Sequence, residues 1–295
     1  MPKYYSPLIF LSLFFSFVLS CQQKVDDDRA GVLLSTYPDA LAAIQSDAAV
    51  SKELVLEGLR LVSVDGASFQ MGCSDTDVHC FDTEKPAHSV QITHALNVMS
   101  IELTQGLYQQ LIGHNPSTFV DCGLDCPVER ISWYDAVVFA NVLSQTLELE
   151  ACYHLHEGAV FWTNPTCAGW RLPTEAEWEN LAMGGAVDSG QIPERAWFSE
   201  NSRGQTQPVA QREANGFGLY DMQGNVWEWT WDWFEAYSEH SAQDPRGPLE
   251  GTQRIIRGGS WMSDARNTRA TVRDALEPEI GASILGVRLV QFTGK

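Results

Sequence analysis

Apolar and polar positions alternate through the middle of the chain in short bursts. Leu59-Arg-Leu-Val-Ser-Val64, His88-Ser-Val-Gln-Ile-Thr93 and Asn97-Val-Met-Ser-Ile101 carry the period of two that half-buried strands need, and turn residues separate them. Further strands are expected over Arg254 to Arg257 and Leu285 to Phe292. Helical signals interrupt this pattern. Ser132 with Asp135 makes a capping box that opens a helix from Trp133 to about Leu147, and Thr174 with Glu177 opens another from Glu175 to about Met183. A third helix starts at Thr104, with Leu107, Tyr108 and Leu111 on one face. Trp227, Trp229, Trp231 and Trp233 alternate with Glu228, Thr230 and Asp232, which predicts a strand whose indoles share one face and belong to the core. After Gly185 the chain is mostly loop, punctuated by Asn215-Gly-Phe-Gly and Asp244-Pro-Arg-Gly-Pro. Short strands with two or three capped helices and much irregular chain make an α+β class.

The N-terminus carries a different kind of pattern. Lys3 precedes the apolar run Leu8 to Leu19, which is too short to span a membrane and has the length of a signal-peptide core. The run closes on Val18-Leu19-Ser20-Cys21, which resembles a bacterial lipobox and implies that Cys21 is lipidated and becomes the mature N-terminus. A cleaved, unlipidated secretory peptide is the alternative. Residues 1–20 are therefore expected as a lipoprotein signal peptide, 21–57 as a tether with one short helix around Tyr37 to Ala49, and 58–293 as one folded domain. This organisation implies a domain in the bacterial cell envelope, anchored by lipid rather than spanning. Gln22 after the anchor favours the outer membrane.

Composition narrows the partners. The 295 residues hold 38 acidic and 19 basic side chains, a formal charge of −19, so phosphate backbones and anionic lipid surfaces repel this chain. Nucleic acid is excluded as the expected partner. The 23 Gly, 13 Pro and 10 Trp suit a loop-heavy fold rather than a helical bundle. Export also gives the cysteines a role, because disulfides persist in oxidising compartments. With Cys21 assigned to lipid, the remaining six cluster in the sequence as Cys73 and Cys80, Cys122 and Cys126, and Cys152 and Cys167. Pairing within each cluster is expected, although sequence alone permits other connectivities, and a four-Cys zinc site is the rival that oxidising export disfavours.

Several segments together resemble one family: Phe69-Gln-Met-Gly72, Glu84-Lys-Pro-Ala-His88, Glu102-Leu-Thr-Gln, Asn115-Pro-Ser, Pro127-Val-Glu-Arg-Ile-Ser-Trp133, Trp170-Arg-Leu-Pro-Thr-Glu-Ala-Glu-Trp178, Asn215-Gly-Phe-Gly-Leu-Tyr-Asp-Met-Gln-Gly-Asn-Val-Trp-Glu-Trp229, Arg257-Gly-Gly-Ser-Trp261 and Gly286-Val-Arg288. The chain is similar to the formylglycine-generating enzymes, or sulfatase-modifying factors, over residues 58 to 293. The resemblance implies a C-type-lectin-like fold. It also implies a calcium site held by the side chains of Asp221 and Glu228 and the carbonyls of Gly224 and Val226, an oxygen set of the kind Ca²⁺ prefers.

One part of the resemblance fails. The family's oxidases hold Cu(I) with two cysteines five residues apart after the Gly-Gly-Ser segment, and this chain has Ser263 and Thr268 at those places. Cu(I) is selected by sulfur ligands, which hydroxyls do not replace, and Met262 is a lone thioether read as packing. No copper centre is expected. His154 and His156 read as a surface pair without a third ligand, and Arg171 and Arg288 as buried partners of acids such as Glu175, Glu177 or Glu179. The sequence thus favours a non-catalytic binding module for an exported protein, peptide or glycan, with loops Gly184 to Gln211 and Ser238 to Gln253 supplying the recognition surface. The alternative is an oxidase of the formylglycine-generating type, or an accessory to one, acting on exported proteins through a non-standard centre.

Overall fold

Capping explains where the helices begin. In the computed structural model, which describes residues 52–74, 76, 78–156, 158–184 and 195–294, the Thr104 hydroxyl accepts from the Leu107 amide and opens α2 (Gln105–Ile112). Ser132 and Asp135 cap each other's amides at the head of α3 (Trp133–Thr146), and Thr174 and Glu177 do the same for α4 (Glu175–Met183). Each such cap stabilises a helix by about 1 kcal/mol. Leu107, Tyr108 and Leu111 are buried as the sequence predicts, and Tyr108 stacks on Phe139 of α3 at 5.5 Å. A further helix, α1 (Lys52–Leu59), runs past the boundary expected between tether and domain at 57 and 58. Val55 and Leu59 are fully buried in the main core, so the folded unit takes in these residues. The signal peptide, Cys21 and the helix expected around residues 37–49 lie outside the described residues.

The strands assemble into separate small sheets rather than one. β1 (Leu61–Val64), β4 (Leu96–Met99), β13 (Val290–Phe292) and β7 (Trp170–Arg171) form one four-stranded sheet in that order. A second contains β11 (Arg273–Leu276), β10 (Arg254–Arg257), β8 (Trp227–Trp233) and β12 (Leu285–Gly286). β2 (Ser68–Met71) and β3 (His88–Gln91) pair with β9 (Ala242–Gln243), and β5 (His154–His156) pairs with β6 (Ala159–Phe161). The segment Leu285 to Phe292, expected as one strand, is divided between the two larger sheets. The reason lies in its middle. Arg288 is fully buried and reaches Glu228, Met99 O and Tyr220 O, so the chain turns there to deliver the guanidinium.

Both faces of β8 are buried at its start. Trp227 and Trp229 enter the core as expected, and the alternating polar residues are equally enclosed, with Glu228, Thr230 and Asp232 all buried. Each needs a partner in that environment. Glu228 takes Arg288, Thr230 donates to Ile255 O, and Asp232 accepts from the Glu175 amide at 2.8 Å. Arg171 pairs with Glu177 through two bonds of 2.7 Å, as the sequence suggests. The partner of Arg288 is corrected: Glu175 goes to Arg273 and Glu179 to Arg257, leaving Glu228 for Arg288. Burial works against the charge of Glu177, but Arg171 and His94 outweigh it and hold the carboxyl at about 2.

The cysteines close local loops. Cys73 is bonded to Cys80, Cys122 to Cys126 and Cys152 to Cys167. A four-Cys zinc site is therefore overturned, since disulfide sulfurs are not thiolate ligands. His154 and His156 are exposed on β5 with rings 6.2 Å apart, a surface pair as read. No helix among the described residues is long and apolar enough to cross a membrane.

Candidate functional site

The loop after β10 holds the two positions at which the resemblance places the copper-binding thiols. Ser263 Oγ accepts from the Ser260 amide at 3.0 Å, and Thr268, fully buried, donates its hydroxyl to Ala265 O at 3.0 Å. Both hydroxyls therefore serve the loop's own backbone. Asp264 caps the short turn Ala265–Thr268 by accepting from the Asn267 amide. Gly259, at φ +79, lets the loop close on itself, because a Cβ there would lie 2.6 Å from Asn267 O. Met262 is 40% exposed, which corrects its reading as a packing residue: it projects from the loop.

This loop is tied to two others. The Ser199 amide donates to Ser263 O at 2.9 Å, and Ser202 Oγ donates to Trp261 O at 2.7 Å, so residues 195–211 of the recognition loop expected over Gly184 to Gln211 line the same place, while 185–194 lie outside the described residues. The Trp261 indole edge meets Phe119 at 5.3 Å, and its amide donates to Asn225 O at 2.7 Å. The other expected recognition loop, 238–253, instead runs along β3, where Asp244 accepts from Thr93.

Asn225 connects the loop to a cluster of buried acids. Its Nδ2 donates to Glu102 Oε2 at 2.6 Å and its Oδ1 accepts from the Gln207 amide at 3.0 Å. Glu102 also accepts from the Val226 amide at 3.1 Å. Beside it stand Asp221 and Glu228, both buried. Glu228 accepts from Arg288 and from the Trp178 indole at 2.7 Å. Asp221 Oδ2 accepts from the Ala210 amide at 2.7 Å, while Oδ1 is buried without a hydrogen-bond partner. Burial, joined by the charges of Asp221 and Glu228, pushes the Glu102 carboxyl well up, and burial lifts Asp221 to about 6.

These features bear on the calcium set Asp221, Gly224, Val226 and Glu228. Three buried acids share the single Arg288 guanidinium, and one carboxylate oxygen of Asp221 is left without a partner, an arrangement that a hard cation would relieve. Gly224, at φ +82, makes the turn, and a Cβ would fall 2.0 Å from Trp197 O. Of the two carboxylates in that set, Asp221 has an oxygen without a partner, while both oxygens of Glu228 are engaged by Arg288 and the Trp178 indole. Sequence reasoning missed Glu102 and Asn225. Glu102 was visible as a lone acid between apolar Ile101 and Leu103, both buried here.

Comparisons with known proteins agree with this architecture. The family model described as a sulfatase-modifying factor enzyme 1-like domain matches residues 47–292. A protein named chaperone protein LppX from Paenibacillus barcinonensis is 36% identical over 200 residues, covering 55% of this chain and 68% of its own length. The formylglycine-generating enzyme of Streptomyces coelicolor is 33% identical over 186 residues, covering 55% of this chain and 51% of its own, so this chain spans about half of that relative. The solved structure of Treponema denticola variable protein 1 superposes with a TM-score of 0.72 at 31% identity, covering 78% of this chain and 94% of its own. The mixed fold of short strands and few helices is thus the C-type-lectin-like one, and the chain belongs to the sulfatase-modifying factor enzyme 1-like family.

Proposed function

We propose that this chain is an exported binding module that keeps the family scaffold and has exchanged its copper chemistry for recognition. The observation that carries the reading is the state of Ser263 and Thr268, hydroxyls at the thiol positions, both bonded within their own loop. The six cysteines of the folded domain are consumed in disulfides, which leaves no soft thiolate pair there for Cu(I). Exposed Met262 and the half-buried Trp261, backed by residues 195–211, form the recognition surface for an exported protein, peptide or glycan. The chaperone named among the relatives supports a protein ligand.

Calcium is part of the proposal. Asp221 and Glu228, with the Gly224 and Val226 carbonyls, would hold it, and the ion would supply charge neutralisation and rigidity beneath the loop. Asn225 transmits that order, since its backbone holds Trp197 and Trp261 while its amide side chain holds Glu102. Cys21 carries the lipid anchor that keeps the domain at the membrane surface, with the outer membrane favoured. Three disulfides support an oxidising compartment.

The test is aerobic incubation of the full-length protein with Cu(I) and a peptide bearing Cys-x-Pro-x-Arg, read by mass spectrometry beside an active oxidase. No aldehyde is expected. Conversion of the cysteine to formylglycine refutes the proposal in favour of a non-standard oxidase centre, and retention of unconverted peptide on the immobilised protein identifies a substrate-binding accessory.

A further inference from the structure

The hairpin of β5 and β6 shares no residue with the Ser263 loop or the acid cluster, and it presents two imidazoles side by side. Its register sets His154 opposite Phe161, Leu155 opposite Val160 and His156 opposite Ala159. Leu155 and Val160 pack against the main core, so the period of two along a strand turns both His154 and His156 outward, where they are exposed. The strand that carries them is fixed at its entry. Cys152 is bonded to buried Cys167, and Tyr153 is itself buried. The Tyr153 amide donates to Asn141 Oδ1 at 3.1 Å, its carbonyl accepts from Asn141 Nδ2 at 2.8 Å, and its hydroxyl accepts from the Leu172 amide at 2.9 Å.

The two rings lie 6.2 Å apart, centroid to centroid, with their planes 14° from parallel. Imidazole nitrogen binds Zn²⁺ at about 2.0 Å, so an ion set between the rings reaches one nitrogen of each by side-chain rotation alone, on a backbone already in place. Each ring gives one nitrogen to the ion. The other nitrogen can hold a neighbour, which is how metal-bound imidazoles are commonly oriented. Ala159, opposite His156, adds only a methyl group and leaves the outer side of such an ion open to water. The donor type selects the metal: imidazole suits Zn²⁺, Ni²⁺ and Cu²⁺, whereas Ca²⁺ and Mg²⁺ take oxygen. The formal charge of −19 attracts cations to this chain.

We propose that His154 and His156 chelate one divalent transition-metal ion of the Zn²⁺, Ni²⁺ and Cu²⁺ class, with water completing its coordination. The proposal is independent of the binding-module reading, since it holds whatever the Ser263 loop does.

Calorimetric titration of Zn²⁺ into the full-length protein tests it, without any histidine tag and in excess Ca²⁺ to fill oxygen sites, with the imidazole NMR signals followed in parallel. Submillimolar binding of one Zn²⁺ per chain is expected, with two imidazoles shifting together and Cu²⁺ displacing Zn²⁺, as the order of divalent affinities requires. His154→Ala and His156→Ala, at exposed positions that leave the metal-free thermal midpoint unchanged, should each weaken Zn²⁺ binding by about a hundredfold, because the second ligand of a chelate binds intramolecularly. No Zn²⁺ binding in the wild type, a shift of a single imidazole, or an affinity unchanged in either variant overturns the proposal. Equal competition by Mg²⁺ overturns it in favour of surface carboxylates.

Discussion

Asn225→Ala is the substitution that strikes the link between the acid cluster and the recognition loop. The side chain donates to Glu102 Oε2 at 2.6 Å and to Gln207 O at 3.2 Å, and accepts from the Gln207 amide at 3.0 Å. Alanine leaves those groups buried and unpaired. Burial and the neighbouring acids disfavour the charged form of Glu102, so each of the three bonds is worth about 1 kcal/mol. Asn225 also sits at φ +57, a left-handed conformation that asparagine tolerates and that costs alanine about 1 kcal/mol. The bonds share partners and do not add fully, so the expected loss is about 3 kcal/mol. Asn225→Gly removes the same bonds without the backbone cost and should lose about 1 kcal/mol less than alanine. Urea unfolding of the full-length variants measures both. A loss below about 1 kcal/mol for Asn225→Ala, or a glycine variant less stable than the alanine one, refutes the assignment of Asn225 as the connecting residue.

Other consequences follow from particular groups. Ca²⁺ should raise the thermal midpoint in a concentration-dependent way, and Asp221→Ala should abolish that rise, as calorimetry can check. Replacing both Cys152 and Cys167 by Ser, across a separation of 15 residues, should cost about 3 kcal/mol on unfolding. Burial lifts the Glu129 carboxyl to about 7, and its Oε2 has no hydrogen-bond partner. Its folded value lies above its unfolded one, so the stability it contributes is full at low pH and is lost as pH rises through about 7. The urea midpoint should fall between about pH 4.5 and 7 in the wild type and fall less in Glu129→Gln, and equal slopes would contradict this reading.

The legibility of this sequence follows the range of the interactions. The capping boxes at Ser132 and Thr174 were readable because donor and acceptor lie within one turn, and the helices start where those residues place them. The disulfide clusters were readable for the same reason. Arg288 was not: its acid, Glu228, lies 60 positions away, and only the packing of β12 beside β8 brings them together. That one ion pair also split the strand expected from Leu285 to Phe292. The calcium set proposed at Asp221 and Glu228 rests on family resemblance alone, and Glu102, a lone acid between Ile101 and Leu103, has a local signature of burial but none that points to its partners more than a hundred positions away.

With hydroxyls of Ser263 and Thr268 in place of thiols, the loop is proposed to hold no copper. Anaerobic titration of the full-length protein against a coloured Cu(I) chelator tests it most directly, with a Ser263→Cys/Thr268→Cys variant alongside. The wild type should leave the chelator complex intact, while the variant regains the thiol pair and competes for the metal. Stoichiometric withdrawal of Cu(I) by the wild-type protein would contradict the account.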